Sequence, residues 1–223
     1  AIPGATEAEY ITPPILVGLQ PAGTVNTDVA KLTVQFSEPI DPASFSASDI
    51  QITTPSGTTV DPAGMTIVSK GFGLFEVSVP ALQASGPYAM RIGPDITDVD
   101  RNAMVAPFDA GFRIDKSGPR ITATSPVGFA DAYFDTVQVT FDSAIRASSF
   151  DAADVVLTGP GGAAMATQVT QLASDTFRLT FARQTTPGAY QLAIGPSITN
   201  LLGSAMDQDR DLVLGESNDD IYR

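Results

Sequence analysis

Cysteine, histidine and tryptophan are all absent from the 223 residues of this chain. Without cysteine there are no disulfides, thiol nucleophiles or zinc–thiolate sites, and without histidine there is no Ser-His-Asp triad and no imidazole ligand for a metal. These absences remove the commonest general bases and nucleophiles. The composition therefore favours a protein that is not an enzyme.

Positive charge is also scarce. The chain has 12 Lys and Arg against 25 Asp and Glu, which gives a formal net charge of −13. Such a field repels nucleic acid and anionic membrane and attracts cations. No apolar run approaches the ~20 residues that a membrane-spanning helix needs. We therefore expect no nucleic-acid partner and no insertion into a membrane.

What the chain does contain is one pattern written twice. Residues of the first half recur 105 positions later and, after a short slip, 102 positions later. The first register relates Pro21, Val34, Phe36, Ile40 and Phe45 to Pro126, Val139, Phe141, Ile145 and Phe150. The second relates Phe75, Tyr88, Ile92, Ile96 and Met104 to Phe177, Tyr190, Ile194, Ile198 and Met206. Because solenoid units are only ~20–50 residues long, repeats of this length are whole domains.

The repeat boundaries predict two domains, at residues 14–117 and 118–223. The segment 1–13 is interpreted as a tail that resembles the end of a preceding repeat, because Gly4 and Tyr10 echo Gly215 and Tyr222. The chain stops where the second copy is expected to begin its last strand. This favours a piece of a longer array, with strand exchange from another chain as the alternative.

Within each copy the side chains alternate between apolar and polar. Lys31–Phe36, Leu74–Val79 and Tyr88–Ile92 show the period of two that is typical of half-buried strands, and their counterparts in the second copy do the same. Gly, Pro, Asp and Ser clusters separate these segments, and no stretch of a dozen residues keeps a helical period. The sequence therefore predicts an all-β fold with about seven strands in each copy, arranged as a β-sandwich.

Two shared motifs carry a resemblance to a known family. Both copies read Phe-x3-Ile-x4-Phe-x3-Asp and then Gly-x-Tyr-x3-Ile-Gly-Pro-x-Ile, followed by a Met-containing acidic turn. This pattern resembles the tandem bacterial Ig-like domains of S-layer and other cell-surface proteins. The resemblance implies two Ig-like Greek-key sandwiches in a secreted or cell-surface protein. It also implies that the partners are neighbouring Ig-like domains of the same array.

The predicted function is that of a non-catalytic structural spacer, or stalk, in an extracellular or cell-surface protein. The alternative is an adhesion module that binds a glycan or a protein through loops at the sandwich edge. The lack of tryptophan counts against this alternative, because aromatic binding platforms favour Trp and Tyr.

One acidic stretch near the C-terminus indicates a calcium site. Carboxylates at alternate positions of a loop can point toward one centre, and calcium takes six to eight oxygen ligands. The spacing matches the first positions of an EF-hand loop, but Leu212 stands where that loop needs glycine and Asn218 where it needs glutamate. A looser Ca²⁺ loop remains as the prediction. Its expected ligands are Asp207, Asp209, Asp211, Glu216 and Asp219, with Asp220 as another residue that can close the shell.

A weaker candidate for metal binding lies in the first copy, at Asp98, Asp100 and Asn102. Oxygen side chains at alternate positions also occur in ordinary turns, where Asp and Asn bond their own backbone. Members of the resembled family often have Asp-x-x-Gly-Asn at this turn. Here Arg101 stands in the glycine place, whereas the second copy keeps the glycine as Gly203.

Overall fold

The computed structural model describes residues 12–128 and 133–223. The chain forms two compact units, Ala1–Asp115 and Lys116–Arg223, which we call the first and second domain. Residues 1–11 of the tail inferred from the sequence, including Gly4 and Tyr10, lie outside the described residues. No helix in the described part of the chain is long and apolar enough to cross a membrane.

Between residues 12 and 115 the first domain has eight strands. These are β1 (Leu16–Gln20), β2 (Gly23–Val25), β3 (Val29–Phe36), β4 (Ile50–Thr53), β5 (Thr66–Gly71), β6 (Leu74–Leu82), β7 (Gly86–Ile92) and β8 (Phe108–Ile114). They form two four-stranded sheets, in the orders β1-β3-β6-β5 and β2-β8-β7-β4. One continuous buried cluster draws side chains from both sheets, so the core lies between them.

The second domain has seven strands among its described residues. These are β9 (Ile121–Ser125), β10 (Phe134–Phe141), β11 (Val155–Gly159), β12 (Gly162–Met165), β13 (Gln168–Ala173), β14 (Thr176–Gln184) and β15 (Gln191–Ile194). One sheet has the order β13-β14-β10-β9 and the other β12-β11-β15. A second buried cluster fills the space between them.

This arrangement confirms the predicted all-β class and Ig-like architecture. In the first domain a four-stranded sheet faces a sheet that includes β4, β7 and β8, which is the ABED-on-CFG arrangement of immunoglobulin sandwiches. In the described ranges the helical residues form only three-residue 3-10 turns, at Ala47–Asp49, Pro62–Gly64, Ala147–Ser149 and Ala152–Asp154.

The repeated phenylalanines lie in the cores, as the repeat predicts. Phe36, Phe45 and Phe75 pack edge to face, with ring centroids 5.0–5.8 Å apart. In the second domain Phe141, Phe150 and Phe177 repeat the trio at 5.0–6.0 Å. Edge-to-face rings contribute ~0.5–1.5 kcal/mol per pair beyond the area they bury. The same three side chains therefore form an equivalent aromatic cluster in the core of each copy.

Candidate metal centre in the second domain

The acidic stretch folds back onto the end of the second sandwich. We call residues 207–220 the acidic loop. At its start the backbone N–H of Asp207 donates to the carbonyl of Pro119. Within the loop the N–H of Gly215 donates to the carbonyl of Met206, which is fully buried in the core. The loop is therefore fixed to the folded domain at its first residue and near its middle.

Asp220 ties the two halves of the loop together. Its side chain is fully buried, with 0% of its surface exposed. One carboxylate oxygen accepts a hydrogen bond of 2.6 Å from the backbone N–H of Gln208, and the other accepts one of 2.9 Å from the N–H of Glu216. Hydrogen bonds to a charged acceptor are about twice as strong as those between neutral groups. Asp220 thus acts as the internal brace of the loop.

Three carboxylates converge beside this brace. Asp207, Asp209 and Asp220 each offer an oxygen, and the three oxygens lie within 4.8 Å of one another. Asp207 is only 3% exposed, and among the described residues its Oδ1 has no hydrogen-bond donor. A buried carboxylate oxygen without a partner is costly, because burial removes its water without replacing it. A cation among the three carboxylates would compensate this oxygen directly.

The electrostatics of the cluster point the same way. Burial raises the pKa of Asp207, and repulsion from Asp220 and Asp209 raises it further, although a hydrogen bond from the N–H of Leu212 lowers it. Burial also raises the pKa of Glu216, with further repulsion from the surrounding aspartates. The ionised forms of Asp207 and Glu216 are therefore disfavoured in the acidic loop, and a bound cation would stabilise them.

The donor set fits a hard cation. Calcium takes oxygen ligands at 2.3–2.6 Å, from mono- or bidentate carboxylates, backbone carbonyls and water. Three carboxylates can supply between three and six of these oxygens. Asp209 is exposed at the mouth of the cluster, whereas Asp207 and Asp220 are buried. The ion would therefore enter from the side of Asp209 and keep water on that side.

Only part of the ligand set expected from the sequence comes together. Asp207 and Asp209 lie in the cluster, and Asp220 joins them rather than its neighbour Asp219, which is exposed. Among the described residues neither Asp211 nor Glu216 belongs to the three-carboxylate group. The Asp211 carboxylate instead accepts a 2.7 Å hydrogen bond from the N–H of Val213, two residues later.

The backbone explains how these carboxylates are brought together. Arg210 and Leu212 both have φ of +71°, in the left-handed region that favours glycine. The residue between them, Asp211, donates its N–H to Oδ1 of Asp209 at 3.2 Å. Leu212 is the position where an EF-hand has glycine, and the chain takes the left-handed conformation there with leucine instead.

At the second predicted metal site, the Asp98 carboxylate accepts hydrogen bonds from its own turn. Asp98 is 1% exposed, and its carboxylate accepts 2.8 Å hydrogen bonds from the N–H of Asp100, the N–H of Asn102 and the amide of Asn102. Burial alone would raise the pKa of Asp98, but these hydrogen bonds lower it below its ordinary value. Both Asp98 oxygens are thus occupied by the turn's own donors.

The second copy builds the same turn with an amide. Oδ1 of Asn200 accepts 3.0 Å hydrogen bonds from the N–H groups of Leu202 and Ser204. Its amide group donates to the carbonyl of Ser117 at 3.2 Å. Since an uncharged side chain performs the same task, the charge of Asp98 is not what the turn requires. The geometry favours a structural role for the pair.

Arg101 adopts the left-handed conformation expected of the glycine it replaces, with φ of +70° against +89° for Gly203. We predict that Arg101→Gly stabilises the first domain by about 1 kcal/mol, because a side chain costs ~1–2 kcal/mol in this region and the added chain flexibility offsets part of the gain. The matched change, Gly203→Ala, should destabilise the second domain by about 1 kcal/mol, because the nearest atom to the new Cβ is 3.8 Å away and only the backbone is strained. Urea unfolding measures the stability change caused by each variant. If both variants stabilised their domain, or both destabilised it, residues 101 and 203 would not occupy equivalent left-handed positions.

The raised pKa of Asp207 predicts a pH dependence for protein kept in chelator. A group whose pKa is higher in the folded state stabilises the fold below its unfolded value, near 3.8, and this contribution is lost as pH rises through the folded value. The free energy of unfolding of the second domain should therefore decline above pH 4 more steeply in the wild type than in Asp207→Asn. Parallel profiles for the two proteins, from urea unfolding at several pH values, would refute this.

Comparison with known proteins agrees with the repeat. A sequence profile of the bacterial Ig-like domain matches residues 11–113 and again residues 115–213. A search of curated proteins found no match.

Solved structures resemble the chain at low sequence identity. The N-terminal part of the bacterial S-layer protein SbsC is 15% identical over 82% of this chain and 40% of its own length, with a TM-score of 0.38. CopC from Methylosinus trichosporium OB3b is 20% identical over 46% of this chain and 93% of its own, with a TM-score of 0.37. A fragment of Escherichia coli alpha-2-macroglobulin is 11% identical over 82% of this chain and 66% of its own, with a TM-score of 0.35.

The profile spans nearly all of both repeats, and each repeat forms an Ig-like sandwich around its own core. The chain belongs to the bacterial Ig-like domain family and carries two copies of that domain.

Proposed function

We propose that this chain is a non-catalytic spacer in an extracellular or cell-surface protein, and that calcium stiffens it by binding in the acidic loop of the second domain. The observation that carries the calcium proposal is the buried, unpartnered Oδ1 of Asp207, which lies in a group of three converging carboxylates. The family supports the spacer role, since it consists of tandem modules whose cores are self-sufficient.

The mechanism is mechanical rather than chemical. Asp207 begins the acidic loop and Asp220 ends it, so an ion held by both would fix the two ends of the loop to each other. The end of the loop leads directly to Tyr222, which pairs with Ile194 of β15. Calcium would therefore clamp the final residues of the chain against the sandwich, at the place where a spacer transmits force.

Calcium binding should raise the melting temperature of the second domain. Free calcium at 100 times the dissociation constant adds ~2.7 kcal/mol to the stability of a protein that binds only when folded. For a domain of ~100 residues this corresponds to an increase of about 10 °C. Differential scanning calorimetry in excess calcium and in chelator measures the shift, and magnesium at the same concentration shows whether the site is selective.

Two variants with the same change of charge test the site itself. Asp209→Asn removes an exposed member of the cluster, whereas Asp219→Asn removes an exposed carboxylate of the same loop that lies outside it. We expect Asp209→Asn to abolish most of the calcium shift and Asp219→Asn to leave it nearly intact. An unchanged midpoint in wild-type protein would overturn the calcium proposal and leave the spacer proposal standing. Equal losses in both variants would instead indicate diffuse attraction by negative charge.

A further inference from the structure

The chain enters the second domain along the acidic loop. We call residues 117–121 the entry segment; its last residue, Ile121, begins β9. The carbonyl of Pro119 accepts a hydrogen bond of 3.1 Å from the N–H of Asp207, the first residue of the loop. Gly118 and Pro119 are buried. The entry segment therefore lies against the folded domain, at the start of the loop that carries the three converging carboxylates.

Gln208 joins the entry segment to the carboxylate cluster. Its side-chain oxygen accepts a hydrogen bond of 2.9 Å from the N–H of Ile121, and its side-chain amide donates one of 3.2 Å to the carbonyl of the same residue. Its backbone N–H donates to Asp220 at 2.6 Å. In the sequence Gln208 stands between Asp207 and Asp209, so two candidate ligands of the ion are its immediate neighbours. The side chain of Gln208 thus binds the start of β9, while its backbone binds the cluster.

Gly118 permits the close approach of the entry segment to the loop. A Cβ at this position would overlap the carbonyl oxygen of Ala205 and lie 2.9 Å from the backbone nitrogen of Asp207. Because non-bonded carbon atoms normally stay ~3.5–4.0 Å apart, a side chain here would push the segment away from Asp207. On the other side of the glycine, the carbonyl of Ser117 is bound by the amide of Asn200 at 3.2 Å. The contact between the segment and the loop is therefore specific in both shape and hydrogen bonding.

The first domain has neither the carboxylates nor the glutamine at the equivalent positions. The two copies differ in the three residues that follow the equivalent methionines, Met104 and Met206. These are Val105, Ala106 and Pro107 in the first copy and Asp207, Gln208 and Asp209 in the second. Both copies nevertheless form a sandwich around their own buried core. The fold therefore does not require this arrangement, and the second domain has it in addition to the fold.

We propose that a cation bound in the acidic loop fixes the entry segment to the second domain, with Gln208 as the positioning residue that connects the two. This inference rests on the proposed calcium site and goes beyond it. The ion holds its three carboxylate ligands in one arrangement, in which the backbone of Asp207 and the side chain of Gln208 bind Pro119 and Ile121. Coupling between two binding events is reciprocal, so a bound entry segment raises the affinity for calcium by the same factor.

Electrostatic repulsion explains why the ion is needed. Without it the carboxylates of Asp207, Asp209 and Asp220 repel one another, which opposes the arrangement that places Gln208 against Ile121. With the ion bound, attraction to a shared positive charge replaces this repulsion. In the spacer proposed above, calcium then sets how firmly the chain is held where it enters the second domain.

Digestion of the full chain with a lysine-specific protease tests the coupling. The chain has three lysines: Lys31 lies in β3 and Lys70 in β5, whereas Lys116 directly precedes the entry segment. Cleavage after Lys116 requires the entry segment to leave the domain, so its rate follows the population in which the segment is detached. We expect calcium at 100 times its dissociation constant to slow this cleavage at least ~10-fold relative to chelator. A free peptide of residues 112–121, digested in both conditions, shows any effect of calcium on the protease itself.

Two glutamine variants of the second domain separate the coupling from calcium binding. Gln208→Ala removes both side-chain bonds to Ile121 but keeps the three carboxylates and the backbone N–H that binds Asp220. Gln184→Ala is the matched control, because its amide donates to the carbonyl of Ala182 in its own strand. With calcium at saturation, the protection should fall below ~3-fold in Gln208→Ala and stay at the wild-type value in Gln184→Ala. Calcium should still raise the melting temperature of both variants.

Hydrogen exchange on the wild type gives a second measurement that needs no variant. The amide of Ile121, which is bonded to Gln208, should exchange at least ~10-fold more slowly in excess calcium than in chelator. The amide of Asp115, which donates to the carbonyl of Val25 in the first domain at 2.8 Å, should exchange at the same rate in both conditions.

The outcomes distinguish this inference from the calcium proposal on which it rests. A higher melting temperature in calcium, without slower cleavage or exchange, would overturn the coupling and leave the calcium site standing. Equal protection in the wild type and in Gln208→Ala would overturn the role assigned to Gln208. No change in melting temperature and no calcium-dependent protection would overturn the calcium proposal and this inference together.

Discussion

Replacement of Phe177 by alanine is expected to destabilise the second domain by about 4 kcal/mol, within the ~3–5 kcal/mol typical of buried Phe→Ala changes. Phe177 is 1% exposed and packs edge-on against Phe141 and Phe150. Its removal deletes two aromatic contacts and leaves a cavity between the sheets. Because the stability of a whole domain is only ~5–15 kcal/mol, the variant should unfold far below the wild-type midpoint.

The first domain provides the matched control. Phe75 is 2% exposed and contacts Phe36 and Phe45 in the same arrangement, so Phe75→Ala should cost the first domain a similar amount. Scanning calorimetry, together with amide exchange to assign the transitions, would show which domain each variant affects. If each domain is stabilised by its own core, Phe177→Ala lowers the melting temperature of the second domain only, and Phe75→Ala lowers that of the first domain only. A single transition lowered equally by both would contradict independent cores.

The alternation of side chains was sufficient to predict most strands because each sheet has one buried face. In β7 the exposure of successive residues alternates strictly from Gly86 to Ile92, so the sequence pattern reproduces the packing. The short strand β2 was not predicted. Its three residues, Gly23–Val25, pair in parallel with β8 and bury little, so no pattern in the sequence marks them. The described part of the first domain therefore has eight strands rather than about seven.

The carboxylate cluster was predictable only in part, because spacing shows which carboxylates are near one another in sequence but not which backbone groups bind them; that it holds calcium stays a prediction. Asp207 and Asp209 lie in the cluster as expected. Asp220 takes the place predicted for Asp219, because the N–H groups of Gln208 and Glu216 bind its carboxylate within the cluster. The three oxygen side chains near Asp98 have the same alternate spacing, but among the described residues they belong to no group of three converging acidic oxygens.

The repeat register also fails at one point, and the reason is the acidic loop. Met104 and Phe108 are 4 positions apart, whereas Met206 and Tyr222, which occupy the corresponding places, are 16 apart. A constant offset cannot identify Tyr222 as the counterpart of Phe108, because the loop is an insertion between them. The candidate metal centre and the displaced counterpart of Phe108 are thus two consequences of the same additional residues.

The two buried aspartates of the loop, Asp207 and Asp220, should respond differently to substitution, although both belong to the cluster. In chelator we expect Asp220→Ala to destabilise the second domain by about 2 kcal/mol, because it leaves the half-buried N–H groups of Gln208 and Glu216 without an acceptor, and an unsatisfied N–H group costs ~1–3 kcal/mol when it is fully buried. Asp207→Asn should be neutral or stabilising in chelator at pH 7, because burial and then repulsion from Asp220 and Asp209 raise the pKa of Asp207, and an uncharged amide avoids both costs.

In excess calcium the order of Asp207→Asn and the wild type should reverse, since the ion stabilises only the protein that retains its ligands. The urea midpoints of wild type, Asp207→Asn and Asp220→Ala, each measured with calcium and with chelator, separate bracing from ligation. If Asp207→Asn were destabilising in chelator by as much as Asp220→Ala, Asp207 would be a brace like Asp220, and its unpartnered oxygen would no longer support a cation site. A reversal on adding calcium would support Asp207 as a ligand of the ion, in addition to the bracing role of Asp220.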